Sequence, residues 1–273
     1  TPKYTVVTNG TLLTEDKIIF CKEHKINIGL SVDGPRSITD MTRKAENGMG
    51  AYPMIIHAME LLKKHDYIPS LSVTISEDVL RNQATVIDWL QEMHLSFGIK
   101  DISYNLLRFQ DEGFDKKKYS IAASSFIIAS YKQLGDIIND SRINRKILSL
   151  TRSTFFYGDC AAITGNQIVL KANGDIGLCQ VFCQSDETTV GNVSAGSLSG
   201  IIENAVIPAL GKYKHFLPVF RKSCQECEAI FTCGGGCYWE SGECDKSCDI
   251  GYCQYSKILH AWMLGCLDKQ ATE

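Results

Sequence analysis

Long apolar runs are missing from this sequence. No stretch approaches the roughly 18–20 residues that a membrane-crossing helix needs, and the start, Thr1-Pro2-Lys3-Tyr4, lacks the charged-then-apolar layout of a signal segment. Proline is scarce, with 6 residues, while hydrophobic residues make up 44% and charged residues 22%, which excludes a disordered, collagen-like or low-complexity chain. An excess of one charge is also lacking: a net charge of -3 and a pI near 6.1 offer no handle on a phosphate backbone or an anionic leaflet. The expectation is a soluble, cytoplasmic protein with no nucleic-acid or membrane partner. Histidines are few, and His57 and His65 do not have the four-residue spacing of a metalloprotease pair.

What is present is room and pattern. A chain of 273 residues can bury an ordinary core as one large domain or two modest ones. It opens on Thr1 rather than Met and runs at once into a strand pattern, which suggests a piece of a longer chain. Short β-branched runs then alternate with helical stripes. Strands are expected at Tyr4–Thr8, Asn27–Val32, Leu71–Ile75 and Ile102–Leu107. Helices are expected from the Thr14 cap to about His24, through Ile55, Met59 and Leu62 to about His65, and from the Ser76 cap through Leu90. This reads as three βα units plus a strand, with a loop at Asp33 to Gly50. Each strand exits into small polar residues: Thr8-Asn9-Gly10, Ser31-Val32-Asp33-Gly34, Thr74-Ile75-Ser76 and Asn105. In parallel α/β folds that end is where ligands bind, although such residues are also ordinary turn chemistry. Residues 111–156 read as a helical connector without identifiable chemistry.

The 12 cysteines are unevenly spread: Cys21 stands alone and the others lie between Cys160 and Cys266. Gln167–Lys171 and Ile176–Leu178 read as a hairpin joined through Ala172-Asn173-Gly174-Asp175, which would bring Cys160 and Cys179 together at its open end. The spacing then tightens to Cys224-x2-Cys227-x5-Cys233-x3-Cys237, with Gly234-Gly235-Gly236 letting the backbone wrap closely around a bulky ligand. Disulfides, structural zinc and iron–sulfur clusters all remain open on spacing alone.

Thr8-Asn9-Gly10, Ser31-Val32-Asp33-Gly34-Pro35 and Arg43 resemble the radical S-adenosylmethionine (SAM) enzymes. Cys160-x13-Gly174-x4-Cys179, the tight four-cysteine run and Cys253 resemble the SPASM extension of that superfamily. The resemblance implies an α/β fold with a partial TIM-type barrel at 1–110, the connector at 111–156 and a small cysteine-rich SPASM domain at 157–273. It implies two auxiliary [4Fe–4S] clusters: Cys224, Cys227, Cys233 and Cys253 on one, and Cys160, Cys179 and Cys237 on the other. Cys183 is the nearest candidate for the missing ligand; the alternative is an open iron for a substrate thiolate. Cys244 and Cys248 are surplus. By family position Ser31 would bond the SAM ribose, Arg43 would pair with its carboxylate, and Asn105 would line the pocket.

The implied function is modification of a peptide or protein. A 5′-deoxyadenosyl radical abstracts hydrogen in the full-length parent, auxiliary clusters handle electrons or substrate, and flavodoxin or ferredoxin supplies electrons. The catalytic Cys-x3-Cys-x2-Cys and Gly-Gly-Glu-Pro motifs are absent from this chain, so alone it is expected to be inactive, and no catalytic residue is assigned. Gln180 stands where sulfatase-maturating relatives carry an acidic residue, so that specific activity is not assigned either. The rival reading is a non-catalytic iron–sulfur or zinc-stabilised peptide-binding module.

Overall fold

The structure is a computed structural model that describes residues 3–108, 113–135, 137–152, 154, 156, 158–241 and 250–272. The chain divides into two compact units, Thr1–Phe114 with Ile121–Arg145, and Asp115–Ser120 with Lys146–Glu273.

The first unit is a four-stranded parallel sheet, β1 (Tyr4–Thr8), β2 (Ile26–Ser31), β3 (Ser70–Ile75) and β4 (Ile102–Leu106), in sequential order. Parallel neighbours need crossover connections. These are α1 (Glu15–Glu23), then α2 (Arg36–Thr42) with α3 (Tyr52–Lys64), then α4 (Glu77–Arg81) with α5 (Gln83–Phe97). Ile55, Met59 and Leu62 on α3, and Val86, Leu90 and Met93 on α5, recur at helical spacing and are buried. Side chains of this size contribute about 1.5–3 kcal/mol each when buried. Ile18 and Cys21 on α1 join the same kind of stripe, so the solitary cysteine is a packing residue.

Two elements differ from the sequence expectation. α2 forms inside the stretch read as a loop: only Ile38 and Thr39 on it are buried, too few to show as a periodic stripe. The helix after Ser76 is broken in two at Asn82, while the Ser76 cap itself forms and accepts the Val79 N–H at 3.2 Å.

The sheet has two unlike faces. Leu30, Leu71 and Ile102 align across β2, β3 and β4 and are buried, whereas the next residue on each strand aligns Ser31, Ser72 and Ser103, all half-buried, with Thr74 beside Asn105 one step on. Alternation along a strand sends these rows to opposite faces. Apolar residues pack on one side, and small hydroxyl and amide groups line the other.

α6 (Lys116–Leu134) and α7 (Ser141–Thr151) follow. Asp140 caps α7 by accepting the Arg142 N–H at 2.8 Å and also takes the Tyr104 N–H at 3.1 Å, tying the helix start to β4.

The second unit carries an antiparallel sheet of β5 (Val169–Leu170), β6 (Asp175–Gly177) and β7 (Thr189–Asn192). The expected hairpin forms, shorter than read, and β7 adds a strand the sequence pattern did not suggest. Gly174 turns the hairpin at φ +86, a conformation that strains any other residue, and a Cβ there would stand 3.1 Å from Val193 Cγ2. Beyond the sheet, α8 (Leu198–Ile201) runs through a π turn into α9 (Ile207–Leu210), and α10 (Ile250–Thr272) closes the chain. Tyr252, Tyr255, Leu259 and Met263 form the buried face of α10.

Candidate functional site: a polar strand-end rim and a cysteine framework

At the C-terminal ends of β2 and β3, the Asp33 carboxylate gathers four donors. Arg43 meets it side-on, Nε to Oδ2 and Nη2 to Oδ1, both at 2.9 Å; Thr42 Oγ1 donates at 3.1 Å and the Thr74 N–H at 3.1 Å. Thr39 Oγ1 accepts the Asp33 N–H at 3.3 Å and donates to Gly34 O at 2.7 Å. The Asp33 side chain is only 5% exposed and that of Arg43 24%. A guanidinium has five N–H donors, and two bonds fix its plane while leaving the others to meet an acceptor. Ser31 ends β2 half-buried just before this cluster. Asn105 Nδ2 donates to Ser72 Oγ at 2.9 Å and to Ser103 O at 3.3 Å, so it sits on the hydroxyl-lined face. Asp33 itself, read from sequence only as part of a motif, is the hub of the rim.

In the second unit, Cys160 packs on the core that holds Cys179 together with Ala162, Ile176, Leu178, Ile201 and Val206. Cys179 leads into a short 3₁₀ turn, Gln180–Phe182, with Cys183 exposed at its end. The Cys227 N–H bonds Cys224 O at 3.0 Å, a tight turn that keeps these two residues close. Cys237 precedes Tyr238 and Trp239, whose rings pack against Tyr213, with Trp239 also 5.3 Å from the Phe182 ring. Cys244, Cys248, Phe155 and Tyr157 lie outside the described residues.

Cys233 shows most directly what this framework suits. Its thiol is shifted upward: burial, together with the nearby Asp159 charge, outweighs the Gly235 N–H at 3.4 Å from Sγ and the charge of Lys146. A main-chain N–H aimed at sulfur is the kind of bond that the thiolates of iron–sulfur clusters accept. Ser256 lies one helical turn from Cys253 on α10, the spacing that shares a face. Cysteine sulfur with a main-chain N–H donor therefore fits the cluster that the resemblance implies. Among the described residues no three His, Cys, Asp or Glu side chains converge on a single-ion site. A [4Fe–4S] cube asks for something else, since it places its thiolates on separate irons.

Gly234 makes the close approach possible. A Cβ there would stand 2.1 Å from Asp159 N and 2.7 Å from Gly158 C, both backbone atoms that cannot swing away. Gly234→Ala is expected to destabilise the protein by about 1–3 kcal/mol. Gly211→Ala, at φ -55 with nothing within 4 Å, is the control and should be near neutral. Urea midpoints compared for the two variants check this.

Sequence reasoning missed Lys146, placed in the stretch read as a connector without chemistry. Its side chain is 4% exposed; Nζ donates to Asp159 Oδ2 at 2.9 Å, Thr232 O at 2.8 Å and Tyr252 OH at 3.3 Å, and lies 4.5 Å from the centre of the Phe156 ring. Tyr252 OH also donates to Asp159 Oδ2. A lone lysine on a helix gives no sequence signal of this kind.

The chain matches no established family profile. Among curated proteins it is similar to the serine-type anaerobic sulfatase-maturating enzyme of Klebsiella aerogenes, 22% identical over 262 residues, covering 92% of this chain and 62% of that protein. It is also similar to the cysteine-type anaerobic sulfatase-maturating enzyme of Clostridium perfringens, 24% identical over 243 residues, covering 84% and 63%. The chain thus spans less than two thirds of the length of these relatives. Among solved structures, native anSMEcpe with bound AdoMet matches with a TM-score of 0.78 at 20% identity, over 99% of this chain and 75% of that one. Native anSMEcpe with bound AdoMet and Cp18Cys peptide matches at 0.76 and 19%, over 99% and 76%. Sequence likeness along most of the chain and a shared fold make this protein a relative of the anaerobic sulfatase-maturating enzymes, in agreement with the radical SAM and SPASM resemblance of its motifs.

Proposed function

We propose that this chain is the larger part of a cytoplasmic radical SAM/SPASM enzyme that modifies a peptide or protein. The observation that carries the reading is Cys233, half-buried with the Gly235 N–H 3.4 Å from its sulfur, inside a cysteine run of SPASM spacing. Cys224, Cys227, Cys233 and Cys253 would hold one auxiliary [4Fe–4S] cluster. Cys160, Cys179 and Cys237, with Cys183 or a substrate thiolate, would hold the other. On the partial barrel of the first unit, Arg43 would present its remaining N–H groups to the carboxylate of SAM, held in plane by Asp33, while Ser31 meets the ribose and Asn105 lines the pocket. When bound, SAM and its own cluster supply hydrogen-abstraction chemistry, and a flavodoxin or ferredoxin supplies electrons. The catalytic-cluster motif is not in this sequence, so these 273 residues by themselves are proposed to be inactive. Gln180 is exposed and cannot serve as a carboxylate base, so sulfatase maturation itself is not assigned.

Anaerobic reconstitution with iron and sulfide tests this. About eight irons and eight sulfides per chain, with matching EPR signals, are expected for two clusters. Zinc bound without sulfide would sink the enzyme reading and leave the peptide-binding module in its place.

A further inference from the structure

The three groups that Lys146 grasps have something in common. Asp159, Thr232 and Tyr252 each stand immediately before a cysteine: Cys160, Cys233 and Cys253. One ammonium therefore ties together a loop, a turn and a helix that are far apart in sequence. It does so through a carboxylate, a main-chain carbonyl and a phenol, with a second strut where Tyr252 OH meets Asp159. The side chain is nearly inaccessible, and the Phe156 ring covers it at 4.5 Å. A buried ammonium needs its donors used and a counter-charge at hand, and all of these partners lie on the cysteine segments. The close contact of Gly234 with the Gly158–Asp159 backbone adds a further tie between two of the same segments.

We infer that Lys146 is the positioning residue of the cysteine framework: by fixing the residues that precede Cys160, Cys233 and Cys253, it sets these thiols at the separation an iron–sulfur cluster requires. The inference rests on the cluster reading of the framework. Lys146 is no ligand, since an ammonium has no lone pair to give. Its role is to spend donors on the backbone and side chains beside the ligands, as outer residues do around metal sites. Because Cys160 belongs to one proposed cluster and Cys233 and Cys253 to the other, loss of the tie should affect both.

The test is anaerobic reconstitution of the 273-residue chain and of Lys146→Met/Asp159→Asn, which removes both charges and so leaves no buried ion unpaired. Near-UV circular dichroism of the metal-free forms serves as the fold control. The wild type is expected to take up about eight irons, and the double variant, folded, no more than about half of that, with altered EPR g-values. Tyr252→Phe, which deletes one hydroxyl and does not threaten the fold, is expected to change the EPR spectrum of the cluster held by Cys253. Full iron content and unchanged spectra in both variants would overturn the role of Lys146 while leaving the cluster reading intact. Absence of iron and sulfide from the wild type would overturn the cluster reading itself.

Discussion

Lys146→Met is expected to lower the unfolding free energy of the metal-free protein by about 3–5 kcal/mol, the cost of breaking a buried ion pair from one side. Among the described residues, the Asp159 side chain, 13% exposed, would keep the Tyr252 hydroxyl as its donor, and the Thr232 carbonyl would lose its ammonium donor. Against a total stability of about 5–15 kcal/mol for an ordinary domain, that is enough to unfold much of the protein at 37 °C. Adding Asp159→Asn is expected to restore a large part of the loss, because the stranded charge is then gone. Urea unfolding of both variants decides the matter. A single variant that costs less than about 1 kcal/mol would mean that water reaches the Asp159 carboxylate and the pair is not buried in solution. A double variant no better than the single would place the loss in packing against Phe156 instead.

Asp33→Ala is the second large effect. It removes the acceptor of two Arg43 bonds, one Thr42 bond and the Thr74 N–H at once. Because the Arg43 side chain is 24% exposed, its freed charge can turn to water, so the expected loss of stability is discounted to about 2–3 kcal/mol. The functional loss should be larger in proportion. An Arg43 released from its plane has to be reordered by its ligand, and SAM affinity of the full-length protein is expected to fall at least about tenfold, or about 1.4 kcal/mol. Arg43→Lys should fail in the same way, since an ammonium cannot be held edge-on by a carboxylate. Equilibrium dialysis with labelled SAM checks both variants. Unchanged affinity in Asp33→Ala would remove Arg43 from the proposed SAM site and make the pair a structural brace for α2.

The parallel sheet was legible because βα units write themselves plainly: β-branched runs, capped helices and apolar stripes all agreed, and β1 formed at Tyr4–Thr8 as read. The strand-end polar clusters were legible for the same reason, since turn chemistry and ligand chemistry use the same small residues. α2 was hidden because a short helix with so few buried residues leaves no stripe, and β7 because its partner strand lies across a loop rather than a tight turn. The tie made by Lys146 could not be read at all: a hydrogen bond to the Thr232 main chain leaves no trace in side-chain pattern. The pairing of Asp33 with Arg43 could have been suspected, as an acid and a base ten positions apart flanking a polar loop, but not its side-on geometry.

The bonds from Lys146 span 13, 86 and 106 residues along the chain. Contacts of that reach form late, since the entropy of closing the intervening loops has to be overcome before they return anything. The partner farthest away, Tyr252, belongs to α10, which leaves the ribosome after the other segments that Lys146 ties. Until it arrives, the cysteine half of the nascent protein carries its thiols on loops that have not been brought into register. Loading of the proposed iron–sulfur centres would thereby wait until α10 has docked, and the interval before that is when the thiols are most exposed to oxygen and to competing metals.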